Sequence, residues 1–117
     1  MCGVLDLSDL LELIDDAKAL NSKVFSLIRF ELLSNITMFG PDGISNRELS
    51  TTLEVSDGTL YANLKALEEM GYIKSKKVHF EGKELDTYTI TQLGMEEWIK
   101  TKNWLKKFIG CGNNENK

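Results

Sequence analysis

The 117-residue sequence predicts a mainly α fold with one small β-hairpin (α+β), on three observations. Two adjacent short segments, residues 45–53 and 55–71, carry helix start and stop signals. Residues 72–90 then alternate in strand fashion about a glycine-containing tip. Apolar residues at helical spacing flank this centre on both sides. With 42 % hydrophobic and 27 % charged residues, the composition is that of an ordinary globular chain. A single domain over residues 1–117 is expected, with an accessory helix in 1–21, a core in 22–91, a C-terminal helix in 92–109 and a flexible tail in 110–117.

Residues 5–20 read as an amphipathic helix with Leu7, Leu10, Leu11, Leu13, Ile14, Ala17 and Leu20 on one side and acids opposite. The next helix, from about Ser22 to Met38, is apolar nearly all round through Val24, Phe25, Leu27, Ile28, Phe30, Leu32, Leu33 and Ile36, so a central, buried place is expected. Gly40-Pro41-Asp42-Gly43 is turn chemistry and ends it. Ile44 follows as a candidate short third strand beside the hairpin.

Ser45-Asn46-Arg47-Glu48 fits a capping box, with Ile44 and Leu49 as its hydrophobic staple and Leu49 and Leu53 on one face. Only Glu54 and Val55 separate this helix from the next, a spacing that suits a helix-turn-helix bend. In the second helix Ser56 is the N-cap, Val55 and Leu60 the staple, and Leu60, Leu64 and Leu67 the apolar stripe. Gly71 supplies the left-handed residue after its end, with Leu67 and Tyr72 placed for contact across that cap. Tyr72-Ile73, Val78 and Phe80 lead to a tip at Glu81-Gly82-Lys83-Glu84, and Tyr88 and Ile90 return: a wing. Thr91 caps the last helix, with Ile90 and Met95 as staple. There Met95, Trp98, Ile99, Trp104, Leu105, Phe108 and Ile109 cover an arc of roughly 220°. One contact face needs less, so a second neighbour is implied.

Several function classes find no support in the residues. No run approaches about 18 apolar residues, so no membrane span is expected. The acidic start has no signal-peptide layout, and a cytoplasmic location is expected. Cys2 and Cys111 lie near opposite ends and the chain has one His, which gives no zinc pattern. They are read as reduced thiols, and no metal or cofactor is expected. Neither a glycine-rich phosphate loop nor a nucleophile elbow is present, so an enzyme is not expected. The net charge of −4 resides in residues 1–20, where Asp6, Asp9, Glu12, Asp15 and Asp16 face Lys18 alone; the remainder is balanced. Local potential over a binding face matters more than that total.

In this order of elements the sequence resembles the winged-helix transcription regulators, near the MarR-like and PadR-like groups. The resemblance runs from about Phe25 to Ile109. It rests on Asp57-Gly58-Thr59-Leu60-Tyr61, Leu64, Leu67-Glu68-Glu69, Gly71-Tyr72-Ile73, Phe80-Glu81-Gly82-Lys83, and Tyr88-Thr89-Ile90-Thr91 with Gly94. It implies a dimer on double-stranded DNA, each wing-and-helix unit entering one half-site. The sequence departs from a strongly basic pattern in two ways. Glu81, Glu84 and Asp86 dilute the wing lysines, and the recognition helix has no arginine for a bidentate guanine contact.

A recognition helix reads bases mainly through its N-terminal half. The candidates there are Ser56, Asp57, Thr59, Tyr61, Ala62, Asn63 and Lys65. Asn63 is matched to adenine N6 and N7, and Ala62 or the Thr59 methyl to a thymine methyl. Ser56 and Asp57 also have purely local readings, as cap and as a negative charge at the positive helix end. Tyr61 either donates to a phosphate or packs at the wing base. Gly58 permits close approach, of the two helices or of a phosphate. Arg47, Lys74, Lys76, Lys77, His79 and Lys83 are the candidates for backbone and wing contacts, against the plainer reading of a solvated edge. Leu7, Leu10, Leu11, Ile14, Trp98, Leu105 and Phe108 are the candidate homodimer interface; packing of first helix on last within one chain is the rival account. Lysines 100, 102, 106 and 107 suit a helix C-terminus, and would also pair with the acidic first helix of a partner subunit. Two other functions stand beside DNA regulation: a winged-helix module that binds protein, and a sensor with a small-molecule effector near Trp98 and Trp104.

Overall fold

The computed structural model describes residues 7–109. The positions of Cys2, Cys111 and the expected tail 110–117 lie outside them. Two compact units form, one from residues 23–96 and one from residues 7–22 with 97–109.

A 3-10 turn at Ser22–Val24 precedes helix α2 (Leu27–Phe39) of the larger unit, and helix α1 (Leu7–Ala17) belongs to the smaller unit. This corrects the expected start at Ser22. Ser26 is the true cap: its backbone is extended (φ −152°, ψ 152°) and its hydroxyl accepts from Arg29 N–H at 3.2 Å. Leu32, Leu33 and Ile36 are buried, as expected of a central helix, while Leu27 and Met38 near its ends are exposed. After the turn at Gly40–Asp42 come β1 (Ile44–Ser45), α3 (Asn46–Leu53), α4 (Asp57–Glu69), β2 (Ile73–Phe80) and β3 (Lys83–Ile90).

The three strands form an antiparallel sheet in the order β1-β3-β2, with Ile44 opposite Tyr88 and Ile73 opposite Ile90. Ile44 therefore does supply the third short strand. The wing tip is tighter than the expected stretch Glu81–Glu84. Phe80 pairs with Lys83, and only Glu81 (φ 51°) and Gly82 (φ 76°) turn the chain. Two consecutive positive φ values belong to a type I′ turn, whose twist matches that of the strands. Ile44, Leu49, Leu60, Leu64, Leu67, Tyr72, Ile73 and Tyr88 complete the core with the α2 residues and Val24.

Helix α5 spans Gln92–Ile109. Its start is clamped to the end of α4. Thr91 Oγ1 accepts from Gly94 N–H at 3.0 Å and donates to Gly71 O at 2.6 Å, and Thr91 N–H reaches Tyr72 O at 3.0 Å. A Cβ at Gly94 would stand 2.0 Å from Tyr72 O, so this position requires glycine.

In the smaller unit α1 covers Leu7–Ala17, shorter than expected, because Lys18, Ala19 and Leu20 close a tighter turn with N–H bonds three residues back. The α5 residues of this unit pack on α1. Trp104 Nε1 donates to Leu13 O at 2.9 Å, and Lys107 Nζ lies 2.8 Å from Asp16 and 3.2 Å from Glu12. These pairs correct the expectation that the terminal lysines meet a partner's acids: Lys107 is matched within its own chain. Lys100 is likewise held, by Glu97 at 3.3 Å and by Ala19 O at 3.2 Å. Glu97 is buried and accepts from Asn21 N–H at 2.9 Å. The rival account of first helix on last is thus realised, yet it uses only part of the apolar surface. Leu13 is buried, while Leu7, Leu10, Leu11 and Ile14 remain exposed. Trp98 and Leu105 are half-buried, and Phe108 is exposed on one side while stacked on Trp104 at 5.2 Å. No helix of the described residues is long and apolar enough to cross a membrane.

Candidate nucleic-acid interface

The helix-turn-helix is fixed by its own caps. Glu48 N–H donates to Ser45 Oγ and Ser45 N–H to Glu48 Oε1, both at 3.1 Å, which completes the capping box. Glu54 ends α3 in the left-handed region (φ 54°), its N–H bonded to Ser50 O. Ser50 Oγ then reaches both Val55 O and Asp57 Oδ1 at 3.2 Å and pins the bend. Helix α4 starts on Ser56, whose Oγ accepts from Thr59 N–H at 3.2 Å. It stops in a Schellman motif: Gly71 (φ 82°) bonds to Glu68 O at 2.9 Å and Tyr72 to Leu67 O at 3.1 Å.

With Leu60, Leu64 and Leu67 turned inward, the opposite stripe of α4 is Gly58, Ala62, Lys65 and Glu69, all exposed. A Cβ at Gly58 would meet nothing within 4 Å, so close packing of the two helices is not what selects glycine there. Asp57, Tyr61 and Glu68 form the shoulder toward the wing. Asp57 and Tyr61 share a groove with Asp86 and Tyr88, and Glu68 accepts from Ser75 Oγ at 2.8 Å. Tyr61 is 61 % exposed and lies under the Lys65 ammonium at 5.9 Å. Packing at the wing base therefore occupies only its edge.

Thr59 and Asn63 form the other shoulder, toward α2. Asn63 is not presented as a free amide. Its Oδ1 accepts from Arg29 Nε at 3.0 Å and its Nδ2 donates to Thr59 O at 2.8 Å. An adenine contact would require both bonds to break. Arg29 itself escapes a reading of sequence patterns; its one signal is the single positive charge in a mainly apolar run, Ile28-Arg29-Phe30-Glu31-Leu32-Leu33.

The wing places its cations on two different faces. Lys74 and Lys76 alternate with Ser75 and Lys77, so they share a face with Val78, Phe80, Leu85, Thr87 and Thr89. Lys77 and His79 point the other way, across from Asp86 and Glu84. Lys77 Nζ lies 3.0 Å from Asp86 and 3.7 Å from Glu84, and His79 Nε2 is 3.8 Å from Glu84. The hydrogen bond to Asp86, then the Asp86 charge, hold the Lys77 ammonium above its ordinary pKa. Lys74, Lys76 and Lys83 are exposed, and among the described residues none of them has an ion-pair partner. Arg47 is exposed and borders a groove with Phe80, Leu85 and Thr87. That Lys77 and His79 are matched by acids follows from the register that the two-residue tip sets, which the broader expected tip Glu81–Glu84 leaves open.

A helix-turn-helix whose second helix keeps its outer stripe free, followed by a two-stranded wing, defines the winged-helix class of fold. The chain belongs to the winged helix DNA-binding domain family, whose profile matches residues 28–109. Solved structures agree on the fold. The chain aligns with Staphylococcus aureus MepR, solved as a DNA complex, at 12 % identity and a TM-score of 0.66, over 87 % of this chain and 80 % of that one. A MarR variant from E. coli aligns at 17 % identity and a TM-score of 0.64, over 92 % and 81 %. Streptococcus pneumoniae FabT, in complex with DNA, aligns at 20 % identity and a TM-score of 0.59, over 87 % and 68 %. The MarR variant among these neighbours shares its fold with the chain, as the resemblance implied. None of the curated proteins is a significant match.

Proposed function

We propose that the protein is a cytoplasmic transcription regulator that binds double-stranded DNA as a homodimer, each α4 entering the major groove of one half-site. One observation carries this reading: in a chain of the DNA-binding family, the N-terminal half of α4 is exposed beside a wing whose Lys74, Lys76 and Lys83 have no acidic partner among the described residues. The fold neighbours MepR and FabT were solved on DNA, which supports the same reading. Thr59, Tyr61, Ala62 and Lys65 would face base edges, with the Ala62 methyl suited to thymine. Ser56 and Asp57 would keep their structural bonds. Arg47, Lys74, Lys76 and Lys83 would hold phosphates; Lys77 and His79 would join only by leaving Asp86 and Glu84. The exposed apolar residues of α1, with Phe108, would form the dimer contact. Half-sites would then lie one helical turn apart, about 34–36 Å, or a multiple of it.

The test is fluorescence anisotropy with a labelled duplex from upstream of the protein's own gene and a scrambled duplex, each at several salt concentrations. The expected result is preference for the native duplex, with log affinity falling linearly in log salt. Replacing Lys76, Lys77 and Lys83 together by Glu should abolish binding and leave the dimer intact in sedimentation. Absence of binding to either duplex at low salt would sink the reading in favour of a protein-binding module.

A further inference from the structure

We propose that Arg29 is a phosphate-binding residue of the DNA interface, held in position by Asn63; this rests on the DNA-binding reading above. Arg29 occupies the first turn of α2, where Ser26 fixes its backbone. Its guanidinium is tethered on one side only. Nε donates to Asn63 Oδ1 at 3.0 Å, and Nη1 donates to the Lys23 carbonyl. Asn63 is fixed in turn by its bond to Thr59 O, 2.8 Å away on α4. The network also sets the amide's orientation, since its oxygen meets a donor and its nitrogen meets an acceptor.

Among the described residues, what the guanidinium lacks is a counter-charge. Lys18, Lys77, Lys100 and Lys107 each sit within 3.4 Å of a carboxylate. Arg29 is half-buried, bonded to neutral acceptors, and in no ion pair among the described residues. A permanently charged group partly withdrawn from water and given only neutral partners is set to take an anion. Of five N–H donors, two are used, which leaves three in the same rigid plane. That planar fork suits two oxygens of a phosphate.

The location selects the DNA backbone over the bases. Arg29 stands on the Thr59–Asn63 shoulder of α4, to one side of the outward stripe of Gly58, Ala62 and Lys65. A helix seated in the major groove turns its own exposed residues to the base edges, whereas a side chain carried beside it on a neighbouring helix lies nearer the groove wall and its phosphates. Asn63 is then a positioning residue, and its amide is spent inside the protein.

The experiment is the anisotropy titration on the same two duplexes, comparing the wild-type chain with Arg29→Gln, Arg29→Lys and Asn63→Ala. Arg29→Gln, which keeps an amide for the Asn63 and Lys23 acceptors, should lower the slope of log affinity against log salt by about one. It should weaken both duplexes by the same factor. Arg29→Lys should keep the slope. Asn63→Ala should weaken binding while leaving the ratio between native and scrambled duplex unchanged; loss of that ratio would make Asn63 a base reader and overturn the positioning role. An unchanged slope in Arg29→Gln overturns the proposal alone, leaving a tie between α2 and α4. Failure of the wild-type chain to bind either duplex would instead overturn the DNA-binding reading, and this proposal with it. Should Arg29→Gln not fold by circular dichroism, the wild-type side-chain 15N spectrum decides. With Arg29 and Arg47 the only arginines, a DNA-induced shift of the Arg29 resonances supports the proposal and their constancy overturns it.

Discussion

Helices α4 and α1 carry leucines at the same kind of spacing, and the structure treats them differently. In α4, Leu60, Leu64 and Leu67 are all 3 % exposed or less. In α1, Leu13 is as deeply covered, but Leu7, Leu10, Leu11 and Ile14 are between 41 % and 71 % exposed. An apolar stripe in a sequence says that a face seeks cover; the number of partners in reach decides how much it receives. Helix α4 has α2, α3 and β2 against it. Within its own unit α1 meets the C-terminal part of α5 through Leu13 and Trp104. Among the described residues, the apolar face of one helix is fully covered and that of the other is not.

The sharpest test of that contrast is a truncation in each helix. Leu67→Ala should cost about 2–5 kcal/mol of unfolding free energy, from lost burial plus the cavity left behind. Urea denaturation followed by circular dichroism measures it. If Leu67→Ala cost no more than a truncation on the exposed face of α1, the two helices would be equivalent and the contrast would fail.

How far the sequence could be read follows the same line. The caps Ser45, Ser56, Gly71 and Thr91 were legible because a cap is a bond between residues two to five apart. The start of α2 was not, since Ser22 and Ser26 both satisfy a cap and Val24 and Phe25 fit the helical template. Arg29 and Asn63 are 34 positions apart, and a tertiary hydrogen bond leaves no spacing signal. The pairing of Lys77 with Asp86 lay within reach: a two-residue tip at Glu81-Gly82 fixes the register, and counting back sets the two opposite. In the last helix, the burial of Glu97 depends on the Asn21 N–H, which no apolar period encodes.

The wall that Tyr88 shares with Leu60 and Leu64 can be probed by pH. Burial, then the charges of Asp86 and Glu68, push the Tyr88 hydroxyl from 10.0 up to about 12. Because the folded value lies above the unfolded one, this contribution to stability is intact below pH 10. It is lost as pH rises from 10 to 12, where only the unfolded chain ionises. The loss should be on the order of 2 kcal/mol. Unfolding curves at pH 9 and 12 should show it in the wild-type chain and lack it in Tyr88→Phe. An identical drop in both would mean that Tyr88 is not sealed against α4.

A smaller effect isolates the entry to the helix-turn-helix. Ser45→Ala removes the acceptor for Glu48 N–H and should cost about 1 kcal/mol. Thermal unfolding is sufficient to read it. A shift as small as that of a surface substitution would show that β1 pairing, and not the capping box, starts α3.

The smallest effect on the fold, and the most telling for α1, is expected at Leu11. Its side chain is 58 % exposed, so Leu11→Ala should change the stability of the isolated chain by no more than about 0.5 kcal/mol. If a second copy covers Leu7, Leu10, Leu11 and Ile14, Leu11→Asp would carry a carboxylate into an apolar contact, where an unpaired charge is costly. Sedimentation equilibrium should then show dimer in the wild-type chain and monomer in Leu11→Asp, with the circular dichroism spectrum unchanged. Stability should also rise with concentration in the wild-type chain only, because association draws the folded state forward by mass action. A Leu11→Asp chain that dimerises like the wild type would leave this face of α1 uncovered in the dimer and move the contact to Phe108 and its neighbours on α5.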